Sequence, residues 1–122
     1  MAPKRVAALA FVALGMMAGS ALADKGMVKD GMLVNEKGMT LYTFDKDAPG
    51  TTNCYDKCAT NWPPLMADAS AKAEGEWSLV ERKDGSKQWA YKKMPLYLWV
   101  KDTKPGDTTG DMVNDVWHIA KP

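Results

Sequence analysis

The chain has 122 residues, 46% hydrophobic and 25% charged, with sixteen Lys and Arg against fifteen Asp and Glu. That length holds one domain, and the composition excludes a disordered tail, a collagen-like chain and a polytopic membrane protein. A formal net charge of +1 leaves no cationic excess to hold a polyanion, so nucleic acid is not an expected partner.

Lys4 and Arg5 give a positive start, Val6 to Ala18 is an apolar and small-residue run, and Ala21-Leu22-Ala23 supplies an A-x-A cleavage pattern. Residues 1–23 therefore read as a signal peptide, and 24–122 as a single β-rich domain in a periplasmic or secreted setting. The apolar run falls short of the roughly 20 residues of a membrane span, so none is expected after cleavage. No Cys lies near the junction, so no lipid attachment is expected there.

Met32-Leu33-Val34 starts a short strand, and Thr40 to Asp45 makes the next. Pro49-Gly50 and Pro105-Gly106 suit type II turns, Pro setting φ and Gly taking φ > 0. Cys54 to Asn61 has room for one or two helical turns, with Asn53 as N-cap and Pro63-Pro64 as the stop. Asp68 to Glu74 is polar and Ala-rich and reads as a loop. Trp77 to Arg82 and Lys87 to Tyr91 form a hairpin around Asp84-Gly85. Met94-Pro95 breaks the second of these strands. Leu96 to Val100, apolar on both faces, is expected to be a central strand, and Val116 to Ile119 the last one. The predicted fold is mainly β, barrel-like or sandwich-like, with at most short helical turns.

The chain repeats itself. Tyr42-Thr43-Phe44-Asp45-Lys46-Asp47 and Tyr97-Leu98-Trp99-Val100-Lys101-Asp102 share Tyr, an aromatic two residues on, and Asp three further. Met39 and Met94 precede the copies, and Trp62 and Trp117 follow each Tyr at one spacing. Two pseudo-symmetric units of about 55 residues result, the first about 28–66 and the second about 82–120. Two units are too few for a solenoid, so a paired small domain is the simpler outcome.

This doubled element, with Cys54-x3-Cys58-Ala59 leading to Trp62-Pro63-Pro64-Leu65, resembles a bacterial family of secreted repeat proteins and lipoproteins named for a Yx(FWY)xxD motif. The string Asp84-Gly85, Gln88-Trp89, Pro95-Leu96-Tyr97, Asp102, Gly106-Asp107 and Gly110 is similar to the same family. The resemblance implies export and a repeat architecture, and it carries no activity with it.

Asp47 and Asp102 fall past their strands, where a carboxylate bonds turn N–H groups while the Tyr ring packs. The sharper reading makes Tyr42, Asp47, Trp62, Tyr97, Asp102 and Trp117 a set facing a ligand. Cys54 and Cys58 in an oxidising compartment read as a disulfide, closing a loop small enough to lock only a turn. The alternative joins Cys54, Cys58 and His118 as a copper or thiol-redox site, copper being a metal of soft ligands. The acidic loops (Asp45, Asp47, Asn53 and Asp56; Asp102, Asp107 and Asp111) suit calcium in part, but Pro49 stands where an EF-hand ligand is needed. No nucleophile elbow, paired His or phosphate loop is present, so no enzyme is expected. The leading expectation is a cofactor-free, non-enzymatic envelope module that binds a small ligand or an envelope component. The alternative is a copper-binding or redox accessory protein.

Overall fold

The computed structural model describes residues 25–122. The expected leader, residues 1–23, lies outside them. Short strands dominate: β1 (Met27–Lys29), β2 (Met32–Val34), β3 (Tyr42–Phe44), β4 (Met66–Ala67), β5 (Trp77–Glu81), β6 (Lys87–Tyr91), β7 (Met94–Pro95) and β8 (Trp117–Ile119). Among the described residues, a five-residue helix α1 (Lys57–Asn61) and a 3-10 turn at Val113–Asp115 are the helical pieces. All pairing is antiparallel. β1 pairs β2, β3 pairs β8, and β6 lies between β4 and β5 with β7 also on it. The sheets do not close into a barrel, and the architecture is sandwich-like.

The two repeats meet about a pseudo-twofold axis. Tyr42 N–H donates to the Tyr97 carbonyl at 2.8 Å, and Tyr97 N–H donates back to Tyr42 at 3.0 Å. Leu65 N–H reaches the Leu96 carbonyl at 2.9 Å, as Ala120 N–H reaches that of Leu41 at 2.8 Å. Successive side chains on an extended chain point to opposite faces. Leu41 and Leu96 therefore enter one core cluster, with Leu33, Leu65, Trp89 and Ala120, while Tyr42 and Tyr97 enter a second. That second cluster is aromatic and holds Phe44, Trp62, Trp117 and Cys54.

Most expected strands are present, some shortened. Thr40 to Asp45 narrows to β3, with Thr40 held by a single bridge to Val34. Leu96 to Val100 is not a regular strand: Tyr97 makes isolated bridges to Tyr42 and Pro64. The reason lies in its neighbour. In repeat one, β3 pairs with His118 and Ile119, whereas the corresponding partners in repeat two are Pro63 and Pro64, which have no N–H to give a ladder. Leu98 N–H to the Pro63 carbonyl, 2.7 Å, and Val100 N–H to that of Asn61, 3.1 Å, are what remains. Met94-Pro95, expected as a break, pairs with β6 as β7.

Two two-residue hairpins differ in the residues that form their turns. The β1–β2 turn places Asp30 and Gly31 at φ 53° and 79°, the left-handed pair that Asp-Gly favours in type I′ turns. The β6–β7 turn asks the same of Lys92 and Lys93, at φ 49° and 73°. For non-glycine residues this conformation costs roughly 1–2 kcal/mol each.

Candidate functional site

The aromatic cluster is a pile of four rings drawn alternately from the two repeats. Phe44 stacks on Trp117 with centroids 4.2 Å apart, Trp117 on Trp62 at 3.7 Å, and Trp62 on Trp99 at 4.0 Å. Tyr42 meets Trp62 edge-on at 5.4 Å, and Tyr97 meets Trp117 edge-on at 5.2 Å. The order Phe44–Trp117–Trp62–Trp99 maps onto itself when the repeats exchange, apart from Phe44 standing where repeat two has a larger Trp.

The Tyr and Asp of each motif do not bond each other; they cross. Tyr42 Oη donates to Asp102 Oδ2 at 2.7 Å, and Tyr97 Oη donates to Asp47 Oδ2 at 2.6 Å. The second oxygen of each carboxylate closes its own loop. Asp47 Oδ1 accepts from Asn53 N–H at 2.7 Å, while Asp102 Oδ1 accepts from Thr109 N–H at 2.9 Å and the Thr109 hydroxyl at 2.7 Å. Each phenol oxygen also accepts one bond, Tyr42 from Gly110 N–H at 3.2 Å and Tyr97 from the Thr52 hydroxyl. Burial first, and the accepting carboxylate second, push both phenols well above their ordinary value of 10.0, so they are fixed donors. Gly110 is required here: a Cβ would lie 2.9 Å from the Trp62 ring and 3.0 Å from Trp99.

The six residues expected to face a ligand are instead interior. Tyr42 and Tyr97 are 0% exposed, Trp117 3%, Trp62 4%, Asp102 7% and Asp47 8%. Their polar atoms are used on one another and on the loops, which is the turn-closing role extended across the repeat boundary. Of the six, Trp62 and Trp117 also line a surface cleft.

Cys54 and Cys58 are joined in a disulfide. Cys54 is fully buried in the aromatic cluster, and Cys58 packs at its margin. Repeat two has no cysteine, so only one loop is stapled. Asn53 does not cap α1, since its side chain donates to the Lys46 carbonyl and Asp56 precedes the helix without a side-chain cap. His118 pairs with Asp45 at 2.8 Å on the surface. Among the described residues no group of three or more His, Cys, Asp or Glu is arranged to hold a metal. The copper set of Cys54, Cys58 and His118 and the calcium set of the acidic loops are therefore not brought together.

Closing so short a loop is worth about 2 kcal/mol in the chain-entropy account. The Cys54→Ala/Cys58→Ala variant is expected to stay folded and to melt about 10 °C lower. Thermal melts followed by near-ultraviolet circular dichroism check this, and complete unfolding at 25 °C would show the staple holding far more than a turn.

Two polar residues escaped the sequence analysis. Arg82 is buried on β5's end, donating to Gln88 Oε1 at 2.6 Å and to the Cys54 carbonyl at 2.8 Å, over the Tyr55 ring. Gln88 passes the link on to the Leu96 carbonyl at 2.8 Å. The sequence places Arg82 only at the end of one hairpin arm, and nothing local signals that the stapled loop folds over it.

At the Phe44 end of the ring pile lies a cleft of about 420 Å³. Phe44, Trp62 and Trp117 form its apolar wall, and Lys46, Asn61 and Asn114 are its polar groups. Among the described residues those three side chains make no hydrogen bond or ion pair. In repeat two the corresponding lysine, Lys101, lies over Trp99 at 5.8 Å.

Comparison with known proteins agrees with this doubled construction. No curated protein and no solved structure matches the chain. A family described as a secreted repeat of unknown function matches it twice, over residues 26–66 and 78–121. Those two matches cover both halves of the pseudo-twofold domain and place the protein outside the cytoplasm, periplasmic or secreted; the chain belongs to this Lipoprotein_15 family of secreted repeats.

Proposed function

We propose that the protein is a non-enzymatic exported binding module of the cell envelope whose ligand occupies the cleft beside Phe44. The observation that carries this is the break in pseudo-symmetry there. Repeat one offers a smaller ring and an uncommitted Lys46, where repeat two has Trp99 with Lys101 over it. Aromatic walls with a few polar groups are the composition of small-molecule sites, and the volume lies within the range of such pockets, about 300–1,000 Å³. One cation and two free amides favour a ring with an apolar face, an amide or hydroxyl substituent and one negative charge.

N-acetylmuramic acid, an acidic acetamido sugar of bacterial envelopes, is a direct probe. Saturable quenching of tryptophan fluorescence is expected, since Trp62 and Trp117 line the cleft. Lys46→Ala is expected to weaken it about tenfold, the effect of one lost charge contact. Quenching that never saturates, or that ignores Lys46→Ala, would defeat this assignment.

A further inference from the structure

The fold carves another cavity twice, at places related by the pseudo-twofold axis, and the two linings differ. Leu41 N–H donates to the Leu33 carbonyl and Leu96 N–H to that of Trp89, both at 3.0 Å, so Leu33 and Trp89 are counterparts. Counting on from them, Asn35 and Glu36 correspond to Tyr91 and Lys92. One copy, about 250 Å³, is lined by Asn35, Glu36, Lys37, Met66 and Leu98 among others. The other, about 210 Å³, has Tyr91, Lys92, Lys121 and Thr43 at the matching places, over a floor of Leu33, Leu96 and Ile119. In the second copy Lys92 thus stands at the place of Glu36, Lys121 at that of Met66, and Thr43 at that of Leu98. Because backbone geometry makes both cavities, the fold itself does not require the difference between their linings.

The lining of the second copy has one sign of charge. Lys92 and Lys121 flank the cavity and no acidic side chain lines it. Lys92 Nζ lies 5.7 Å from the Tyr91 ring centroid, a weak use of an ammonium group. Among the described residues neither lysine is ion-paired, and the Tyr91 and Thr43 hydroxyls make no hydrogen bond. The turn that presents Lys92 is also strained and firmly held. Repeat one makes its turn with an extra residue, Gly38, at φ 83°, and braces it with the Asn35 side chain. Repeat two omits that residue and forces Lys92 and Lys93 into the left-handed region. Lys92 N–H is anchored on the Glu76 carbonyl and the Lys93 carbonyl on Gly50 N–H, both at 2.8 Å. Strain kept where Asn-Gly would relieve it is a feature of functional sites.

We propose that the cavity under the Lys92–Lys93 turn binds a small soluble anionic amphiphile, a short-chain monocarboxylate whose chain lies against Met94 and Ile119, above fully buried Leu33 and Leu96, and whose carboxylate sits between Lys92 and Lys121. The volume is below that of sites for drug-sized ligands and excludes a full lipid tail. This site shares no lining residue with the cleft beside Phe44, so it stands or falls independently of the function proposed above.

The test is a titration of the isotope-labelled exported protein with sodium octanoate, read by amide chemical shifts. Saturable shifts are expected at Leu33, Tyr91, Lys92 and Ile119. The Lys92→Gln/Lys121→Gln variant is expected to bind at least tenfold more weakly, and octanol to bind the wild type as weakly. The Lys92→Asn/Lys93→Gly variant is expected to melt at a higher temperature and yet lose octanoate. Its raised melting point separates lost binding from lost folding. The proposal is overturned by octanol binding as tightly as octanoate, by unchanged binding in the double lysine variant, or by shifts centred on Met66 and Leu98. Sedimentation with phosphatidylglycerol vesicles without any octanoate response would overturn it equally, by moving the lysines to a membrane surface.

Discussion

Trp117→Ala is expected to destabilise the domain by about 3–5 kcal/mol, the range for emptying a buried large aromatic site. Trp117 lies inside the ring pile, against Phe44, Trp62 and Tyr97, and is 3% exposed. Truncation removes all three ring contacts and leaves a void between Phe44 and Trp62. A domain of this size has roughly 5–15 kcal/mol in total, so the variant loses a large share of its stability. Trp62 holds the mirrored position, against Trp117, Trp99 and Tyr42, and Trp62→Ala is expected to cost as much. Trp99 ends the pile with one stacked partner and is only half-buried, so Trp99→Ala is expected to cost less than either. Urea unfolding followed by far-ultraviolet circular dichroism gives the ranking. A Trp99→Ala cost above that of Trp117→Ala would contradict the alternating stack.

The repeats, their turns and the Cys54–Cys58 bond were legible because each is a statement about residues close in sequence. Asp30-Gly31 and Pro49-Gly50 carry their backbone conformations in their own chemistry, and Gly31, Gly50 and Gly106 do take positive φ. The doubled Tyr and Asp were visible too, but spacing within one copy could not show that each Tyr reaches the other copy's Asp. That exchange is a property of the twofold arrangement. It is also why these residues are buried: a twofold contact puts the repeated element of both copies at the same axis. Regular strand structure at Leu96 to Val100 failed for an equally non-local reason, since it depended on Pro63 and Pro64, more than thirty residues earlier, lying alongside. The two lysine-lined changes in the small cavity were invisible in the same way. Lys92 and Lys121 gain meaning only when the fold shows them at the places that Glu36 and Met66 hold in the other cavity.

Asp47→Ala is expected to cost about 3 kcal/mol at neutral pH. It removes two charge-assisted bonds at once, from the Tyr97 hydroxyl and from Asn53 N–H, and strands the latter in a part-buried loop. It also removes a carboxylate from the field of buried Arg82, whose charge favours ionised Asp47. Burial outweighs these favourable contacts and holds the Asp47 carboxyl above its ordinary value of 3.8. Between the unfolded and the folded value the folded chain binds more protons at this site, so Asp47's contribution to stability falls as pH rises through that window. Above the window the ionised group holds its bonds but carries the unrelieved cost of burial. Asp47→Asn keeps an acceptor for Asn53 N–H and never ionises. Its stability deficit relative to the wild type is therefore expected to be largest below the window and smaller at pH 7. Urea unfolding of both proteins at pH 4, 5.5 and 7 measures the difference directly, with all other titrating groups cancelling between them. A deficit that grows from pH 4 to pH 7 would mean that Tyr97, Asn53 and Arg82 outweigh burial, and that the carboxylate is a net stabilising charge at the centre of the domain.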